Sequence, residues 1–153
     1  MSKQQPVLSA LAGGVVLLAL GFSASAAAEG ENAARATYHY QMFCQGCHTP
    51  DGSGSNGVPA LKDHVGLFLH TPKGREFLIR VPGSATSVLS DEHLAEVLNW
   101  IVIRFAGASW PDKTSFERFT PDEVARGRVH PLTEINHYRA EVLAEAEAAA
   151  RQE

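Results

Sequence analysis

Tyr40-Gln41-Met42-Phe43-Cys44-Gln45-Gly46-Cys47-His48 contains both cysteines of the 153-residue chain. With only two thiols, a disulfide-stapled miniature fold and a four-cysteine zinc site are both excluded. The surrounding composition is that of a soluble domain, with 44% apolar and 20% charged residues. The length suits one domain of ordinary size, or a domain with an appendage. Thirteen basic residues against 17 acidic give a formal charge of −4. That balance argues against a basic phosphate-binding surface, so nucleic acid is not an expected partner.

Cys44, Cys47 and His48 follow the C-x-x-C-H spacing by which haem c is attached. One helical turn sets two thiols to add across the two vinyl groups of one haem. The next residue then lies under the iron, where an imidazole serves as proximal ligand. A thioredoxin-like pair would call for a strand before the motif and a helix after it. Here a helical segment precedes the motif and a glycine-rich loop follows it. A zinc site would need a second ligand pair at finger-like spacing, which the sequence lacks. The reading is one covalently bound haem c.

Upstream, residues 1–28 have the character of a signal peptide. Lys3 is the only charge, an apolar run follows from Val7 to Phe22, and small residues fill Ser23 to Ala28. Ala24-Ser25-Ala26 and Ala26-Ala27-Ala28 both satisfy the small-x-small cleavage rule. No cysteine lies near this site, which excludes a lipid-anchored start. The competing reading, an uncleaved anchor, has an apolar run shorter than the roughly 20 residues a bilayer core requires. The expected location is therefore periplasmic, with membrane attachment only if the leader is retained.

Downstream, the pattern is helical throughout. A first helix is expected from about Glu31 to Gln45, and Asp51 to Gly57 is a glycine-rich loop. Two short helices are expected at Leu61–Leu69 and Pro72–Arg80, with Thr71 as the cap of the second. Ser90 caps the clearest helix, in which Leu94, Val97, Leu98, Ile101, Val102 and Phe105 form a stripe for burial. Thr120-Pro121-Asp122-Glu123 is a capping box that opens another helix. A longer helix is expected from near Pro131, with Leu132, Ile135, Tyr138 and Val142 on one face. Residues 107–153 thus form a helical extension that either folds back on the core or presents its apolar face to a partner.

The chain resembles the class I monohaem cytochrome c family over roughly residues 30–106. The resemblance rests on a helix leading into C-x-x-C-H, an aromatic (Tyr40) four residues before the first Cys, and Gly57-Val58-Pro59-Ala60-Leu61 after the loop. It implies an all-α fold, with a cytochrome c domain at 29–106 around the haem and the extension at 107–153. It also implies that Tyr40 packs on the last helix of that domain, and that the Pro59 carbonyl accepts the Nδ1–H of His48 and orients it. By position alone Pro59 serves equally as a turn proline. Ala36 stands where the family usually has Gly.

The chain departs from the family on the far side of the haem, where a Met is expected. Met1 is in the leader and Met42 is on the proximal side. The corresponding loop reads Val81-Pro82-Gly83-Ser84-Ala85, with Ser84 at the position of the Met. The distal ligand is therefore left open. Either the iron is five-coordinate, or one of His64, His70, His93, His130 and His137 supplies the sixth ligand.

These readings imply an electron carrier rather than a turnover enzyme, exchanging electrons with a dehydrogenase, an oxidase or another cytochrome. Its potential is expected below that of a Met-ligated cytochrome. The alternatives are a haem protein whose open site binds a small ligand, for gas sensing or peroxide chemistry, and a haem subunit docked in a larger redox complex. Peroxide chemistry would call for an acid–base group and an Arg over the iron. Arg75 and Arg80 are present, but the sequence places neither there.

Overall fold

A computed structural model of the chain describes residues 23–110, 112 and 115–151. These residues are helical, without strands, so the all-α expectation holds. The apolar run Val7–Phe22 of the expected leader lies outside the described residues. Among the described residues no helix is long and apolar enough to cross a membrane.

The first helix, α1, runs from Ser23 to Phe43. It starts earlier than expected because the Ala-rich stretch before Glu31 has high helix propensity. A short turn of helix, α2, covers Gln45–His48 and carries the motif. The expected helix at Leu61–Leu69 is a 3-10 helix at Val65–His70 instead. It begins late because Asp63 takes a left-handed conformation, φ 58°, while donating its backbone N–H to the Phe105 carbonyl at 2.8 Å. Helix α3 occupies Pro72–Arg80 and α4 the single turn Pro82–Ala85. Helix α5 spans Asp91–Phe105, and a short 3-10 turn follows at Gly107–Ser109. Helices α6, Pro121–Arg128, and α7, Ile135–Ala150, complete the chain.

The three expected caps are present. Thr71, Ser90 and Thr120 each accept a hydrogen bond from the backbone N–H three residues on, at Gly74, His93 and Glu123. Helix α7 starts later than Pro131. The backbone N–H of Leu132 is instead given to the Arg80 carbonyl at 2.9 Å, which keeps that stretch outside the helix.

Helix α5 lies at the centre, packed against α1, the 3-10 helix at Val65–His70 and α6. Its stripe residues Leu94, Val97, Leu98, Ile101, Val102 and Phe105 are all buried. Tyr40 of α1 is 1% exposed and packs on Trp100 and Phe105, with ring centroids 5.0 and 5.3 Å away. Beside it, Arg35 of α1 grips both carboxylate oxygens of Glu96, at 2.9 and 2.6 Å. The extension folds back. Phe119, Val124, Leu132 and Val142 join the same hydrophobic cluster as the α5 stripe, and Tyr138 stacks on Phe77.

A buried amide pins that arrangement. Asn99, 8% exposed within the α5 stripe, donates through its side chain to the Phe119 carbonyl at 3.0 Å. Its side-chain oxygen accepts the Phe119 backbone N–H at 2.7 Å. One side chain thus satisfies both backbone groups of a buried residue in the extension. Asn99→Ala leaves those two groups unpaired. It should lower unfolding stability by about 1–3 kcal/mol in urea titration; an unchanged midpoint would show that the pairing does not hold the extension.

Candidate functional site

The motif is placed by the contact of α1 with α5. Helix α1 stops at Phe43, and Cys44 leaves helical geometry at φ −120°, ψ −38°. The next residues re-enter a turn in which the Cys47 and His48 backbone N–H groups both point to the Cys44 carbonyl, at 3.2 and 3.0 Å. The buried Tyr40 hydroxyl donates to the Thr49 carbonyl at 2.6 Å, tying the end of this turn to the helix before it. Burial, followed by the proximity of Cys44 and then Asp51, pushes the Tyr40 phenol up to about 12, so it stays a donor at any physiological pH.

The loop after the motif is shaped by Gly54. At φ +77° it takes a conformation that L side chains rarely adopt, and a Cβ there would run into the Val58 carbonyl oxygen and the Pro59 carbonyl carbon. The loop therefore closes tightly on Val58-Pro59 and brings that segment under His48. The His48 ring is partly buried. Burial lowers its proton affinity, and the Pro59 carbonyl opposes this by favouring the protonated ring; the net shift is downward. Nδ1 is buried and completes no hydrogen bond of full geometry.

Cys44, Cys47 and His48 all border one cleft, whose enclosed part measures about 120 Å3. Leu61, Val65, Leu78, Leu98, Ile101 and Val102 form its apolar wall, with Phe43 and Gly83 also on the lining. Both thiols are free; Cys44 is partly buried and Cys47 exposed. Burial, and then the neighbouring Cys47, pushes the Cys44 thiol up to about 11. It is therefore protonated at neutral pH.

The cleft's lining includes no imidazole besides His48 and no thioether. None of His64, His70, His93, His130 and His137 borders the cleft. His64 Nδ1 lies 2.8 Å from the Lys62 carbonyl, and His70 packs on Trp110 with centroids 4.7 Å apart. His93 packs against His39, and His137 lies 3.1 Å from Glu141. Ser84 is absent from the lining as well. The residue of that turn on the cleft is Gly83, where a Cβ would meet no atom within 4 Å. Arg75 and Arg80 face the extension, through Glu123 and the His130 carbonyl respectively.

Two larger surface clefts lie elsewhere. One, of about 550 Å3, runs beside Arg75, Trp110 and Arg126, and one of about 810 Å3 lies between α1 and α5. Neither is lined by a cysteine. Among the described residues no three His, Cys, Asp or Glu side chains gather to hold a bare metal ion. No known family model matches the chain, and no curated protein does.

Sequence reasoning passed over His39, which lies behind the cleft wall. It is 9% exposed, and its buried Nδ1 has no hydrogen-bond partner. The ring packs 4.8 Å from His93 and 6.2 Å from Phe43, centroid to centroid. Burial lowers its pKa below 6.5; His93 adds to this, Glu96 opposes it and Arg35 adds again. The unfolded chain thus takes up this proton first as pH falls. Stability is full above 6.5 and is lost as pH drops from there through the folded value. His48 contributes in the same direction. Urea midpoints measured on both sides of that window should differ less for His39→Gln than for the wild type. An identical pH dependence would remove His39 as a source of the acid loss.

Proposed function

We propose that the chain is an exported, c-type monohaem cytochrome of class I character that carries electrons between redox proteins. The observation that carries this reading is the convergence of two free thiols and one imidazole on a single apolar cleft. That donor set fits a haem. Cys44 and Cys47 would tether the macrocycle, His48 would ligate its iron, and the Pro59 carbonyl would set the orientation of His48. The bound iron would store the electron by cycling between ferric and ferrous states. The aliphatic wall from Leu61 to Val102 would keep water from the macrocycle, and a drier site weakens the stabilisation of the ferric charge. The all-α fold weighs against a thioredoxin-like dithiol. The leader reading supports export to the periplasm. The partner would be a dehydrogenase, an oxidase or another cytochrome.

A second reading is favoured by one feature of the cleft. Gly83 leaves the wall of the Pro82–Ala85 turn bare, and the lining offers no second iron ligand. An iron held there by His48 alone would be open to a small exogenous ligand.

Both readings rest on the same cofactor, and mass spectrometry tests it. The exported protein should carry the mass of one haem that survives acid-acetone extraction; haem that extracts freely would sink both. Coordination is then read by spectroscopy. The ferric wild type should lack a methionine–iron charge-transfer band. Gly83→Met should introduce low-spin ligation and raise the midpoint potential, whereas Ser84→Met should do neither. Low-spin ligation from Ser84→Met alone would place the turn in a different register from that described above.

A further inference from the structure

The extension after Gly107 has no part in the proposed haem attachment, yet one of its side chains reaches the turn on the open side of the cleft. Arg128 ends α6, and its guanidinium fans across the backbone of residues 85–91. Nε donates to the Ala85 carbonyl at 3.3 Å, and Nη2 donates to the Ser87 carbonyl. Nη1 donates to the Leu89 carbonyl at 2.8 Å and to Asp91 Oδ1 at 2.9 Å. Three backbone carbonyls and the first carboxylate of α5 are thus gathered by one side chain that is only 17% exposed. A guanidinium presents five N–H groups in a rigid fork, a geometry that the single ammonium of lysine cannot copy.

The position of Arg128 is itself built. Gly127 brings α6 so close to α3 that a Cβ would come within 2.8 Å of Ile79 Cγ2. Just beyond, Arg80 Nε donates to the His130 carbonyl while the Arg80 carbonyl accepts from Leu132. The end of α3 and the end of α6 are therefore locked together on one side of the Val81–Leu89 stretch. Arg128 closes the other side. Between these two anchors lies Gly83, the residue of this turn that borders the cleft opposite the chemistry of the motif.

We infer that Arg128 is a positioning residue for the open wall of the cleft: by fixing residues 85–91 it fixes the station of Gly83, and so sets the room left at the iron for an exogenous ligand. The inference rests on the haem reading above. It also assigns a role to the extension, which holds that wall from outside the cleft and supplies none of its lining residues.

The test compares Arg128→Lys with Arg75→Lys in the full chain. Both arginines tie the extension to the core, and Arg75 does so through Glu123 and the Glu117 carbonyl without touching residues 81–91. Amide hydrogen exchange across 83–91 should accelerate on the order of tenfold in Arg128→Lys and stay unchanged in Arg75→Lys. In the ferric haem-loaded protein, the affinity for added imidazole should shift on the order of tenfold with Arg128→Lys alone. Unchanged exchange in Arg128→Lys would overturn the clamp. Faster exchange with unaltered imidazole affinity and spectrum would reduce Arg128 to a purely structural tie and overturn the inference. A wild-type chain without covalent haem would defeat the proposed function and the role at the iron together. Exchange would then still report separately whether the clamp exists.

Discussion

Burial of α5 against three different neighbours is the constraint from which the rest of the structure follows. Its apolar stripe supplies the driving force, since each fully buried aliphatic or aromatic side chain is worth about 1.5–3 kcal/mol. Burial on several sides also forces every polar group of the helix to find a partner inside the protein. Glu96 finds Arg35 of α1, Asn99 finds both backbone groups of Phe119, and the Phe105 carbonyl takes the N–H of Asp63. Each answer fixes a different segment. The first orients the helix that carries the motif, the second anchors the extension, and the third sets the left-handed turn that begins the segment bearing Val65. The cleft is the space left between these segments.

Local chemistry was legible in the sequence and long-range chemistry was not. Thr71, Ser90 and Thr120 could be read as caps because a cap and its target are three residues apart, a relation the sequence displays directly. The α5 stripe was legible for the same reason, as was the spacing that puts Cys44, Cys47 and His48 on one turn. The folding back of the extension was not, because a buried stripe on α7 looks the same whether its partner is Phe77 or another protein. Asn99 was invisible within the stripe, since its value depends on a residue 20 positions away. Arg128 was hidden likewise, because its partners are backbone carbonyls, which leave no trace in the identity of residues 85–89.

At Ser84, position along the loop and position on the cleft do not coincide. Counting along the loop selected Ser84, but the turn at Pro82–Ala85 is helical, and in a helix adjacent residues point about 100° apart. A shift of one residue therefore changes which side chain meets the cleft. Gly83 offered no sequence signal of its place on the cleft, because it has no side chain to read. His39 was missed for a different reason. Its burial depends on the approach of α5, and on α1 alone it reads as one more polar position.

The Asn99–Phe119 pairing also has a consequence for the order in which the protein can be completed. Helix α5 precedes its partner in the chain, so a chain that ends at Phe105 carries an amide within the stripe whose two hydrogen-bonding partners are missing. Domains fold from the N-terminal side as they emerge, and unpaired polar groups oppose final compaction. In such a chain α1 and α5 can pack while the face of α5 that carries Asn99 stays wet. The interior dries only once Phe119 and the helices after it have arrived. Completion of the fold is thus tied to completion of the chain.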